Sequence, residues 1–256
     1  MRLQACADLV ARGDPDRFRA TMAAPVAARR VLFPLYAFNI EVSRAPWLTA
    51  EPVIAEMRLQ FWRDVIEELA AGKPPRAHEV AAPLAEAIPR DLIGRLDALV
   101  AARRWDIYSD PFEDRAQFDA YLDETAATLA IVGARALGAP KDAEPVLRDA
   151  GWAFGLAAFL RAIPALEAAG RVPLVEGTPQ AVRDLATDGL DRLARARAGR
   201  GRVPRSAVPA LYAGWRAEGV LRAARDVPER VIEGKLDGSE FAARLGLARL
   251  ALTGRW

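Results

Sequence analysis

Apolar positions recur at intervals of three and four residues along most of this chain, and no segment alternates long enough to specify a strand. Ala and Leu dominate, and Pro or Gly interrupts the pattern after segments of about 12 to 25 residues. Asp14-Pro15-Asp16 has the form of an N-cap followed by Pro in the first turn, and predicts a helix through Phe18 and Met22. A second helix is expected over 26–42, interrupted or kinked at Pro34 and ended by Pro46. A third is expected over 51–71, with Met57, Phe61, Val65 and Leu69 on its buried face and Gly72 and Pro74 closing it.

The same reasoning gives a short helix over 80–87, one over 90–106 and a long one over 114–137 ended by Gly138-Ala139-Pro140. Asp142 is expected to cap a helix running through Trp152 and Phe154 to about 163. Another is expected from Pro179 to about 197, with two or three shorter helices after the basic connection 199–204. No internal repeat or long linker divides the chain. The expectation is one all-α domain over 1–256, a helical bundle around a central cavity walled by segments 31–42, 119–137 and 147–163.

Composition narrows the chemistry. The 256 residues carry 36 basic and 34 acidic side chains, so a net charge of +2 gives no global field for nucleic acid. Cys6 is the only cysteine and His78 the only histidine, which removes disulfides, cysteine metal clusters and His-rich metal sites. His78 follows Lys73-Pro74-Pro75 and reads as an exposed loop residue; Cys6 reads as inert. Asp8 interrupts the apolar run a secretory signal needs, and no stretch reaches the ~18 apolar residues of a membrane span. The expected location is cytoplasmic, with a position peripheral to the inner membrane left open. The run Arg192, Arg195, Arg197, Arg200, Arg202 and Arg205 reads first as a solvated face and second as a contact to anionic lipid.

Several segments, in order, resemble the squalene/phytoene synthase family. They are Asp16-Arg17-Phe18, Arg30, the run from Leu35 to Asn39 with Glu41, Arg58-Leu59-Gln60-Phe61-Trp62-Arg63-Asp64, the run from Tyr121 to Ala126, and the region from Gly155 to Leu174. The resemblance implies an isoprenoid-synthase-type bundle, and with it a head-to-head prenyl transferase. Active members carry two aspartate clusters that hold Mg²⁺ on a diphosphate. Here the first cluster's positions read Ser43, Arg44 and Trp47, and the second's read Ala162 and Leu166. Hard Mg²⁺ needs oxygen ligands, which this set does not supply. Glu167 is no substitute, because one residue of helical shift turns a side chain by about 100°.

The form Leu160-Arg161-Ala162-Ile163-Pro164 also resembles a divergent branch that includes a mitochondrial respiratory complex I assembly factor with a phytoene-synthase-like domain. That resemblance implies a non-catalytic protein that binds an isoprenoid or other lipid, or assists respiratory-complex assembly through a protein partner. The alternative is an active prenyl transferase, and only then is a cofactor, Mg²⁺, expected. The expected ligand-binding residues are Tyr36, Phe38, Glu41, Arg44, Arg58, Arg63, Tyr121, Thr125, Phe159 and Arg161; no catalytic residue is assigned. Aromatic residues at helical spacing read first as core packing. Arg44, Arg58, Arg63 and Arg161 are the side chains with the chemistry to pair with phosphate.

Overall fold

Three capping side chains start helices where the sequence places them; Asp142, expected to cap a fourth, lies instead in a 3₁₀ turn, and the helix that follows is capped at Ala143 with no side-chain bond. Asp14 Oδ1 accepts from the Arg17 backbone N–H at 2.8 Å, Asp114 Oδ1 from that of Gln117 at 2.8 Å, and Thr178 Oγ1 from that of Ala181 at 3.2 Å. The computed structural model describes residues 2–49 and 51–256. Among them no strand occurs, and fourteen α-helices are connected by turns and short 3₁₀ segments.

The N-terminal half opens with α1 (Arg2–Gly13), α2 (Pro15–Ala23) and α3 (Val26–Arg44), followed by a 3₁₀ turn, Ala45–Trp47. Then come α4 (Pro52–Ala70), α5 (Ala81–Ala87), α6 (Arg90–Ile93) and α7 (Leu96–Ala102), which runs into a 3₁₀ turn, Arg103–Asp106. The segment expected as one helix over 90–106 is therefore in three pieces. Helices α8 (Arg115–Leu122) and α9 (Thr128–Ala136) are one continuous rod joined by a π-helical segment, Asp123–Ala127. Next are α10 (Glu144–Ala168) and α11 (Pro179–Ala198). The chain closes with α12 (Ala217–Asp226), α13 (Glu229–Ile232) and α14 (Glu240–Thr253).

Neither the interruption expected at Pro34 nor the helix end expected near 163 is found. Helix α3 continues through Pro34 to Arg44, and α10 continues through Pro164 to Ala168. Each proline removes one backbone donor. The packed surroundings outweigh that loss: Pro34 is buried, and Ile163 and Leu166 on either side of Pro164 are buried too. Helix α10 ends at Gly170, whose φ of +77° lets the Arg171 N–H return to the Leu166 carbonyl at 3.0 Å.

The interior consists of two apolar clusters that share Phe154. One gathers α1, α3, α4 and α9; the other gathers α8, α10, α11 and α12. Helix α4 buries Ala55, Leu59, Trp62, Val65, Ile66 and Leu69, so its inner stripe lies one step round from the expected one, and Met57 is 67% exposed. His78 is half-buried rather than a free loop residue. Its ring meets Trp62 edge-on at 5.1 Å, and its Nδ1 accepts from the Val80 N–H at 3.1 Å.

The π segment and α10 approach closely through glycine. A Cβ on Gly151 would lie 2.6 Å from Ala127 Cα, and one on Gly155 would lie 2.5 Å from Ala126 Cβ. Helix α14 is held more lightly. It buries Leu247 and Leu250, pairs Glu240 with Arg216, and turns Phe241, Leu245 and Leu252 outward.

Candidate functional site

A cavity of about 650 Å³ lies between α3, the α8–π–α9 rod and α10, with the Arg103–Asp106 turn supplying part of its wall. These are the three segments expected to enclose it. Ser43, Arg44 and Trp47 line it from one side, and Ala162 and Leu166 from the other. All five positions at which the resemblance expects metal-binding aspartates therefore face one common space.

The apolar wall comes from Leu122, Leu129, Phe159 and Leu166. Phe159 belongs to an aromatic cluster in which Trp105 stacks on Phe112 at 4.0 Å and Phe118 meets Phe159 edge-on at 5.1 Å. The polar wall is built around Tyr121. Its hydroxyl donates to Asp106 Oδ1 at 3.0 Å and accepts from Arg103 Nη1 at 2.7 Å, and Arg103 Nη1 also reaches Asp106 Oδ2 at 3.1 Å. Burial pushes the Tyr121 phenol well above its ordinary range, with Arg103 opposing and Asp106 adding. Burial disfavours the Arg103 cation, and its interactions with Tyr121 and the Asp106 carboxylate more than offset that. Thr125 donates to the Tyr121 carbonyl at 2.5 Å inside the π segment, a type of irregularity often found at functional sites.

The expected ligand-binding residues fall into two groups. Arg44, Tyr121, Thr125 and Phe159 line the cavity. Glu41 stands behind Arg44 as its ion-pair partner, one turn earlier on α3. The others lie elsewhere. Phe38 is fully buried against Trp62, edge-on at 5.2 Å. Tyr36 lines a smaller neighbouring pocket and donates to the Ala210 carbonyl at 3.4 Å; burial raises its phenol to about 12. Arg58 is exposed on α4, and Arg63 is engaged by Asp97 through two hydrogen bonds of 2.8 and 3.0 Å. Arg161 turns toward Asp16 and Asp237, at 3.0 and 2.9 Å, and lines the smaller neighbouring pocket instead of the main cavity.

The donor set does not fit Mg²⁺. The five positions offer one hydroxyl, one cation and three apolar or aromatic groups. The lining carboxylate, Asp106, is bound by Tyr121 and Arg103, and among the described residues no group of three or more His, Cys, Asp or Glu converges.

The squalene/phytoene synthase family model matches residues 10–176 of this chain. The chain belongs to that family. Two solved family-type structures share its fold. A dehydrosqualene synthase in complex with ligand superposes with a TM-score of 0.80 at 14% identity, over 97% of this chain and 95% of the other. The squalene synthase HpnC from Alicyclobacillus acidocaldarius gives 0.68 at 16%, over 88% and 93%. Among curated proteins the chain is similar to the NADH dehydrogenase (ubiquinone) complex I assembly factor 6 homolog of Drosophila melanogaster, 32% identical over 171 residues. It is also similar to the human assembly factor 6, 27% identical over 163 residues. Each match covers 62% of this chain and about half of the relative, 50% and 48% respectively.

Within this family fold, sequence reasoning did not single out Arg17, Asn39, Arg103 and Asp106, all of which line the cavity. Arg17 and Asn39 lay inside segments that carried the family resemblance, without a role of their own. Arg103 and Asp106 look like an ordinary i, i+3 surface pair until the turn folds under Tyr121. Arg171, within the 155–174 region that carries the resemblance, acts at the rim. Its guanidinium binds the carbonyls of Trp105, Asp106 and Tyr108 and stacks on Trp47 with 5.0 Å to the ring centre.

Proposed function

We propose that this protein is a non-catalytic member of the squalene/phytoene synthase family that binds an isoprenoid or similar lipid in the central cavity and acts in respiratory-complex assembly. The observation that carries the reading is the joint placement of Ser43, Arg44, Trp47, Ala162 and Leu166 on one cavity. The space has been kept while every side chain that would hold metal on a diphosphate is replaced. Ionising an allylic diphosphate depends on neutralising the leaving group, and electrostatic stabilisation of this kind is usually the largest part of catalysis. The assembly role rests on similarity to proteins named complex I assembly factor 6.

Apolar burial at about 25 cal/mol per Å² gives a prenyl chain several kcal/mol of attraction with no metal. The ligand-contacting residues in this reading are Arg44, Tyr121, Thr125 and Phe159, joined by Arg17, Asn39, Arg103 and Leu129. Trp47 lines the cavity and is 49% exposed, and Leu48, Val53 and Met57, which follow it in the chain, are 50%, 70% and 67% exposed. This exposed apolar stretch supports a peripheral location on a membrane, from which a lipid passes into the cavity. No helix among the described residues is long and apolar enough to cross a membrane. The basic run after residue 190 is partly neutralised, since Arg195 pairs with Asp149 and Arg197 with Glu218, which favours a solvated face there.

The alternative, an active prenyl transferase, draws on the shared fold. Incubation with farnesyl and geranylgeranyl diphosphate plus Mg²⁺ separates the two. The expected outcome is no release of pyrophosphate, no condensed hydrocarbon and no stoichiometric Mg²⁺ binding by calorimetry. A squalene- or phytoene-like product establishes the enzyme instead. For the assembly role, deletion in the source organism is expected to lower assembled complex I on native gels; normal assembly removes that part of the reading.

A further inference from the structure

Every cation that lines the cavity is already neutralised by the protein. Arg17 pairs with Asp14 at 2.6 Å, Arg44 with Glu41, and Arg103 with Asp106 at 3.1 Å. Arg171 at the rim has its guanidinium committed to three backbone carbonyls. A diphosphate entering this space meets three guanidinium groups whose charge is already cancelled by carboxylates, and Arg171 at the rim is, among the described residues, the one cation left to set against its own charge. Taking such a charge out of water without a counter-ion is costly.

One polar side chain in the wall has no such partner. Asn39 is 5% exposed and lines the cavity, and its side chain makes no hydrogen bond among the described residues. Its amide atoms are also absent from the fully enclosed polar atoms that lack a partner, so they face the open space. A carboxamide both donates and accepts, and leaving it unmatched in a buried wall costs free energy that a ligand group can recover. Asn39 is one helical turn before Ser43 on α3, so both share the cavity face.

We infer that the cavity selects an uncharged isoprenoid lipid whose polar head, a hydroxyl or carbonyl, is received by the Asn39 carboxamide while its chain lies along Leu122, Leu129, Phe159 and Leu166. This deepens the lipid-binding reading above and rests on it. Recognition here passes from charge and metal to a neutral hydrogen bond, and Arg44, at a former metal position, serves to cancel Glu41.

The test uses the full chain without Mg²⁺ and three probes of equal length: farnesol, farnesyl diphosphate and the saturated hydrocarbon farnesane. Binding is read by quenching of tryptophan fluorescence. Farnesol is expected to bind at least tenfold more tightly than farnesyl diphosphate. Asn39→Leu, close to isosteric, is expected to weaken farnesol by about tenfold, the worth of one buried hydrogen bond, and to leave farnesane unchanged. Glu41→Gln releases Arg44 and is expected to strengthen farnesyl diphosphate about tenfold. Tighter binding of the diphosphate by the wild type, or unchanged farnesol binding in Asn39→Leu, overturns this inference and leaves lipid binding standing. If none of the three binds the wild type, the lipid-binding reading fails and this one with it.

Discussion

Arg161 Nη1 donates to Asp16 Oδ2 at 3.0 Å, joining α10 to α2 across 145 residues of chain. The same carboxylate also receives Arg216 Nε at 3.1 Å and Arg19 Nη1 at 3.2 Å, so three guanidinium groups converge on Asp16. Arg161 therefore works as a tie between helices. Family spacing alone suggested an anchor for phosphate at the cavity mouth.

Arg161→Ala is accordingly expected to lower stability by about 1 kcal/mol, the scale of a well-formed and partly exposed ion pair. Lipid affinity should change less than twofold, for charged and neutral ligands alike. Urea denaturation and ligand titration on the same preparation check both halves; a selective loss of phosphate-bearing ligands would return Arg161 to the binding site.

The glycines on α10 and α12 give opposite signs for one chemical change. Gly151→Ala drives a methyl group to 2.6 Å from Ala127 Cα, and is expected to destabilise by about 1–3 kcal/mol. Gly219→Ala within α12 meets nothing within 4 Å, and is expected to stabilise by up to about 1 kcal/mol through helix propensity. Thermal unfolding of the two variants decides. Equal shifts would remove the close contact between α10 and the π segment as the reason for Gly151.

Filling the cavity should abolish binding while sparing the fold. Ala162 lines it at a former aspartate position and is partly accessible, so Ala162→Trp occupies the space a chain needs. Loss of at least tenfold in affinity for any prenyl probe, with an unchanged circular dichroism spectrum, is the expected result. Retained affinity would move the lipid site elsewhere.

Cys6 is fully buried, and its thiol is pushed up to about 11 by burial first and by the charge of Glu79 second. The native protein at pH 8 should therefore react with an aromatic disulfide reagent only as fast as it unfolds, and completely in denaturant. Rapid stoichiometric labelling of the native state would contradict this burial.

Glu240 supplies the pH dependence. Its hydrogen bond from Arg216, reinforced by Arg244, holds its carboxyl at about 2, below the ordinary 4.5. A depressed acid stabilises the fold above its unfolded value and loses that contribution as pH falls through its folded value. Helix α14 should thus stay attached above about pH 4.5 and loosen between 4.5 and 2. Hydrogen exchange of residues 240–253 at pH 3 and pH 7 reads this directly, and Glu240→Gln should bring the pH 3 behaviour to pH 7.

Much of the fold was legible because helical periodicity and capping are local. The Asp14, Asp114 and Thr178 caps, and the ends of α4 and α11, fall within a residue or two of where pattern alone puts them. The misses are tertiary. Pro164 stays inside α10 because its neighbours are buried, and the inner face of α4 is fixed by what Leu59 and Trp62 meet rather than by which residues are most apolar. Helix α1 gave too weak a pattern to be placed. In the site, Arg44, Tyr121, Thr125 and Phe159 came from an inherited motif. Asn39 needed the structure, since nothing in a sequence says that a carboxamide will end up buried and without a partner.

The π-helical segment 123–127 has one more consequence, in the register of the α8–α9 rod. Tyr121 and Leu129 are eight residues apart and both face the cavity, although eight residues of regular α-helix would set them about 80° out of line. The wider turn absorbs one residue and restores the alignment. The rod is in effect an ordinary helix carrying a single extra residue. Deleting the exposed Glu124 should therefore convert the segment to regular α-helix and keep both flanks on the cavity. The same one-residue deletion within α9 should turn everything between it and the next loop by about 100° and destroy the wall.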